Sequence, residues 1–169
     1  MEVKEFIKAQ LEGADMGLKR VLETLTQEEI SWQPKSGCNS IGLILFHTYK
    51  SEDMFINSML QQKKDLWETD KWYEKFGLPV TEAGAHYTVE QVDAFKVPDL
   101  KAILDYGVAV RKATLAYLDT LKPADLEKKI EMRFGPMPVA MVFSIIISHA
   151  ASHTGEISYI RGLKRGMDK

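Results

Sequence analysis

Residues 149–162 read His149-Ala-Ala-Ser-His153-Thr-Gly155-Glu156-Ile-Ser-Tyr-Ile-Arg161-Gly162, just after the apolar run Val142-Phe-Ser-Ile-Ile-Ile147. The pattern predicts a long helix from about Val139 to Leu163, closing with Gly162 and Gly166 among basic residues, as helix C-termini prefer. Side chains four residues apart on a helix lie one above the other, so the rings of His149 and His153 can reach a single ion. The chain has four histidines in all. A third, His47, belongs to another helical pattern far upstream. Three neutral imidazoles with one position left open are the ligand set of a working metal site rather than a structural one.

Working outward, apolar residues at threes and fours (Phe6, Ile7, Leu11, Leu18, Val21, Leu22, Leu25) predict a first helix ending before Thr26. Gly13 and Gly17 weaken its propensity and are expected to let a neighbouring helix approach. Thr26 to Pro34 reads as a connector, with Pro34 and Gly37 marking turns. Asn39 or Ser40 caps a second helix, Ile41 to about Lys63. His47 sits beside its apolar stripe, with Leu43 and Ile44 one turn before it and Ser51 one turn after. Residues 64–97 form a long insertion rich in Trp, Tyr and Phe. Short helices are expected near Asp65–Trp67 and Lys71–Gly77, and Thr88-Val-Glu-Gln91 is a capping box opening another. Such a stretch is expected to pack onto the bundle and shape a site.

A third helix is expected from Pro98-Asp99-Leu100, with Pro in the first turn. Ile103, Leu104, Val108, Val110, Leu115, Tyr117, Leu118 and Leu121 carry it to Pro123. Lys129 to Phe134, followed by Gly135-Pro136-Met-Pro138, alternates and predicts a short β-ribbon near 129–138. Four long helices with substantial connections define an all-α class, a four-helix bundle with short extra helices. At 169 residues the chain fits one domain, 1–169.

Composition narrows the function. With 22 basic and 24 acidic residues, net charge −2, nothing predicts a nucleic-acid groove. No apolar run approaches the ~20 residues needed to span a bilayer. The N-terminus carries acids where a secretory signal would be apolar. The single cysteine, Cys38, excludes an internal disulfide and suits a reducing compartment. The expectation is a cytoplasmic protein.

A histidine on an apolar face is more often a core residue bonded to backbone than a ligand. Here, however, burying two rings beside Ile145 and Ile146 leaves four ring nitrogens in need of partners, and an unmet buried polar group costs about 1–3 kcal/mol. A metal satisfies one nitrogen per ring, and the other should donate to an acceptor. Glu156, one turn beyond His153, is a candidate for that acceptor, for a contact to water on the ion, or for an exposed acid paired with a Lys or Arg. It is also the one weak candidate for a catalytic group.

The ordered set Trp32-x-Pro34, Asn39-Ser40-Ile-Gly42-x4-His47, Trp72-Tyr-Glu-Lys-Phe-Gly77-Leu-Pro and His149-x3-His153-x-Gly155-Glu156-Ile-x2-Ile-Arg161-Gly162 resembles the DinB/YfiT-like superfamily of metal-binding helical bundles. The resemblance spans nearly the whole chain. It implies a four-helix bundle with a long crossover, and a divalent metal, usually nickel or zinc, held by His47, His149 and His153. It also implies pairing into homodimers. Members include transferases that use thiols such as bacillithiol or mycothiol, and many proteins of unknown activity. Glu156 departs from the commoner Gly-Gln-Ile and brings an ionisable group to the site.

Three functions stand open on this reading. One is a divalent-metal enzyme of the thiol S-transferase or hydrolase kind, acting on a small molecule. The second is a non-catalytic metal or small-molecule binding bundle linked to stress. The third is a set of core histidines without metal. His86 reads as a surface residue or a support to the site, Cys38 as small and inert, and Glu52 as a structural or pocket acid. Trp32, Trp67, Trp72 and Tyr73 are expected to pack on the bundle rather than line a pocket. Arg161, Lys164 and Arg165 are expected to complement the last helix dipole.

Overall fold

In the computed structural model, which describes residues 2–132 and 135–166, four long helices carry the core. They are α1 (Val3–Leu22), α3 (Ile41–Asp53, continuing as a π-helical segment Met54–Leu60), α7 (Leu100–Thr120) and α9 (Val139–Arg165). Helix α9 packs against both α1 and α3, and α3 packs against α7. α1 buries Ile7, Leu11, Leu18 and Leu22, one stripe at intervals of four and seven. Phe6, expected in that stripe, is 52% exposed, and Leu25 is buried beyond the helix end. Gly13 and Gly17 have no neighbour that a methyl group would meet, contrary to the expected close approach. The close approaches fall at Gly42, where a Cβ would lie 2.1 Å from Val97, and at Gly107, where it would enter the Tyr49 ring.

Thr26 to Pro34 is more ordered than a connector. Thr26 and Glu29 form a reciprocal capping box that opens α2 (Gln27–Ser31) and buries Ile30. The spacing Thr-x-x-Glu was legible in the sequence. Ser40, not Asn39, caps α3 through the Leu43 N–H (3.2 Å).

The crossover between α3 and α7 holds α4 (Leu66–Thr69), α5 (Trp72–Phe76) and α6 (Val89–Ala94), the last opened by the expected Thr88/Gln91 capping box. Its aromatics enter the core: Trp67, Trp72 and Phe76 pack with Phe46 and Tyr106 at ring separations of 5.3–6.3 Å. Buried Asp53 fastens the crossover. It accepts from the backbone N–H groups of Leu66 and Trp67 (both 3.0 Å), the Tyr106 hydroxyl (2.6 Å) and Asn57 (2.7 Å). Glu52 is a buried structural acid, accepting from Arg111 (2.8 Å) and Thr114 (2.7 Å). Asp99 caps α7, so Pro98 precedes the cap rather than occupying the first turn, and Val108 is 66% exposed instead of joining the stripe.

A short α8 (Pro123–Glu127) leads to the ribbon β1 (Lys129–Met132) and β2 (Gly135–Pro138), antiparallel with Lys129 opposite Pro138 and Met132 opposite Gly135. Arg133 and Phe134 of the expected ribbon lie outside the described residues. The basic end of α9 does more than complement a dipole. Arg165 grips Glu29 and Thr24, Arg161 donates to the carbonyls of Arg20 and Val21 at the end of α1, and the Lys164 ammonium lies 5.3 Å from the Trp32 ring. No described helix is long and apolar enough to cross a membrane.

Candidate metal centre

Where α9 lies on α3, the three histidines meet. Isoleucines and the buried run Ile41–Phe46 hold α3 inward, which leaves His47 half-buried at the edge of the stripe and facing α9. On α9, Val142, Phe143 and Ile146 bury one side of the helix before His149, and Ala150 and Ile157 continue it. His149 and His153 therefore sit half-buried at the border, one turn apart. The Nε2 atoms of His47 and His149 are 3.0 Å apart, as are those of His149 and His153. One ligand atom from each ring falls within 4.8 Å of the others. Nitrogens that share an ion at ~2.0–2.1 Å stand roughly 3 Å apart, so the spacing suits a common metal.

Hydrogen bonding decides which nitrogen two of the three rings offer. His47 Nδ1–H donates to the Gly84 carbonyl (2.7 Å) and His153 Nδ1–H donates to the Glu156 carboxylate (2.8 Å). Both acceptors lack a proton to give, so both Nδ1 atoms carry hydrogen and, in the neutral rings, both Nε2 atoms present lone pairs. His149 Nε2 faces two such lone pairs and can donate at most one hydrogen. A neutral three-ring cluster thus leaves at least one Nε2 lone pair without a donor among the three rings, a deficit that a shared cation resolves. Protonation of His149 and His47 is disfavoured. Burial, then the neighbouring His153 and His47, push His149 down to about 4. Burial also lowers His47, against the opposing pull of the Gly84 bond. The residues fit a divalent ion.

Glu156, whose side chain is half-exposed, is the acceptor for His153. The acceptor for His47 was not legible from sequence. Gly84 adopts φ +71°, and a Cβ there would lie 3.0 Å from the Lys50 side chain, so glycine lets the loop press its carbonyl onto the ring. Glu82 braces that loop, accepting from the Gly84 N–H (2.9 Å) and the Tyr87 hydroxyl (2.8 Å). A glycine two residues before His86 and an acid four before it were the available signal. His86 borders the same cavity at φ +61° but is not one of the three converging rings. Cys38 borders the adjoining groove, partly buried. Trp67 is core, with its Nε1–H on the Val80 carbonyl (3.1 Å).

Two packed helices of a four-helix bundle that present three imidazole Nε2 atoms, two of them with fixed tautomers, define the class of helical bundles with a three-histidine centre. The model of the DinB superfamily matches residues 10–157, and the chain belongs to that superfamily. A crystal structure of a conserved protein from Enterococcus faecalis is similar, with TM-score 0.85 and 27% identity over 96% of this chain and 97% of that one. No curated protein matches the sequence.

Proposed function

We propose that this protein is a divalent-metal-dependent enzyme, with His47, His149 and His153 as ligands, that transfers a low-molecular-weight thiol such as bacillithiol or mycothiol to an electrophile or hydrolyses a small substrate. The observation that carries the reading is the convergence of three imidazole Nε2 atoms on one point, with two of the rings locked from behind. Nickel or zinc suits three neutral imidazoles. A divalent ion held there would favour the thiolate of a bound thiol or activate water. The protein's own part is to fix ring orientation through Gly84 and Glu156, to keep His47 and His149 neutral by burial, and to leave one side of the centre open. That side faces a cavity of about 300 Å³ bounded by Asn39, Ile44, Tyr87 and Glu156. A reducing, cytoplasmic setting agrees with a lone cysteine and with thiol chemistry.

The test starts with metal content. Near-stoichiometric nickel or zinc in the purified protein, lost in His153→Ala with the fold intact, is the expected result; a metal-free wild type at neutral pH assigns the rings to the core. A panel of thiols with monobromobimane and chelator controls then separates enzyme from binder. Metal-dependent turnover with one thiol supports the transferase. Addition of that thiol to cobalt-substituted protein should bring sulfur-to-metal charge-transfer absorption, and an unchanged spectrum at saturation removes direct thiol coordination.

A further inference from the structure

From the three-histidine centre a path of two adjoining pockets follows α9 toward its C-terminus. Its inner part, about 300 Å³, is bounded by Asn39, Ile44, His47, His153 and Glu156. Its outer part, about 450 Å³, is bounded by Pro34, Cys38, Ile44, Tyr159, Ile160 and Leu163. The two parts share Asn39, Ile44 and Glu156 as walls. Each volume is that of a small-molecule pocket, within roughly 300–1,000 Å³.

The chemistry changes along this path. At the inner end the donors are ring nitrogens and a carboxylate. Past Glu156 the walls turn mostly apolar, the exposed Lys35 apart, with Ile44 and Ile160 as a buried floor. Tyr159 is 69% exposed and Leu163 51% exposed, one helical turn apart, at the rim. Single exposed apolar residues need no explanation, but a pair framing a groove that begins at the centre is placed for a ligand. The neighbouring α9 surface is polar, with Ser152, Ser158 and Lys164 exposed, so the apolar strip is narrow for a stable subunit interface of about 800 Å² per partner. At 1.5 Å per residue, Glu156 to Leu163 spans about 10 Å, the length of an extended chain of about eight carbons.

We propose that the groove takes the apolar body of a small amphiphile, an acyl or alkyl chain about eight carbons long, whose donor head meets the metal centre. This rests on the reading that the three histidines hold a divalent ion. The inner end supplies the charge that anchors the head, and the strip along α9 selects for chain length.

The experiment compares acetohydroxamate with octanohydroxamate by calorimetric titration of the zinc-loaded protein. The two probes share a metal-binding head and differ by six methylenes. Full burial gains about fourfold per methylene, so partial burial predicts at least about a hundredfold tighter binding of the longer probe. Tyr159→Ser with Leu163→Ser, both at exposed positions, should bring the two probes within about tenfold and leave acetohydroxamate unchanged. Cys38 gives a second readout: octanohydroxamate should slow its alkylation by iodoacetamide, and acetohydroxamate should not. Equal affinities for the wild type overturn the groove and leave the centre standing. Failure of both probes to bind overturns the centre, and the groove with it. A chain-length gain that survives the double substitution and leaves Cys38 reactive puts the chain elsewhere. A dimer in sedimentation velocity that Leu163→Ser dissociates assigns the strip to a second copy and overturns the proposal.

Discussion

Replacing Glu156 by alanine removes the acceptor behind His153 and leaves all three Nε2 donors in place. The bond removed is a 2.8 Å contact from an imidazole N–H to a carboxylate. Buried charge-assisted bonds contribute about 1.5–3 kcal/mol. Half of the Glu156 side chain is in water, so solvent replaces part of the bond and screening reduces its worth to about 1 kcal/mol, close to a factor of five. Partners behind metal-bound histidines are generally worth about 10–100-fold in affinity. Glu156→Ala should therefore lie near the lower edge, with zinc bound about 5–10-fold more weakly. Glu156→Gln keeps an acceptor oxygen but loses the charge, and should stay within about threefold of wild type. His153→Ala, which deletes a ligand, should lose at least about a hundredfold. The assay is zinc competition against a chromophoric chelator at fixed pH, with circular dichroism to verify the fold. Wild-type affinity in a folded Glu156→Ala protein would refute the view that this carboxylate orients the ring.

Four further outcomes are expected. Gly84→Ala forces a Cβ into a left-handed backbone against Lys50; the strain of about 1–2 kcal/mol should lower the melting temperature by about 2–8 °C and weaken zinc binding in the same competition assay. Gly107→Ala drives a methyl group into the Tyr49 ring and should destabilise by about 1–3 kcal/mol in urea unfolding, with the loss relieved in a Tyr49→Leu background. Arg111→Met strands the buried Glu52 carboxylate and should destabilise by about 3–5 kcal/mol, most of it recovered when Glu52→Leu is added; no recovery would show that the pair is not the source. The fourth concerns acid. The Arg165 guanidinium, with Thr26, holds Glu29 down at about 2 against an ordinary 4.5. A carboxylate lowered in the folded state stabilises above its unfolded pKa, and that stability fades as pH falls from 4.5 toward 2. Glu29→Gln should therefore flatten this part of the acid limb in a series of denaturation midpoints against pH.

Much of the architecture was legible because burial leaves a periodic trace. The stripes of α1, α3, α7 and α9, the Thr88/Gln91 capping box and the alternating ribbon all announce themselves through local rules. The errors have physical causes. Phe6 and Val108 fit the helical period but lie on the wrong side of their helices, because a stripe is defined by the partner it meets. Gly13 and Gly17 have the composition of a close contact without a helix opposite them, whereas Gly42 and Gly107 receive Val97 and Tyr49 from distant segments.

By itself the sequence determined the helical elements, the shared face of His149 and His153, and the choice of imidazole as the donor, because these depend on spacing and residue type along a single helix. Only the tertiary structure decided that His47 Nε2 comes within 3.0 Å of His149 and that the Gly84 carbonyl turns the His47 ring toward the point that α9 presents. Those contacts join positions 37 and 102 residues apart. Local propensity carries no information about such pairs, and they form only when α9 settles on α3 and the crossover folds back over its edge.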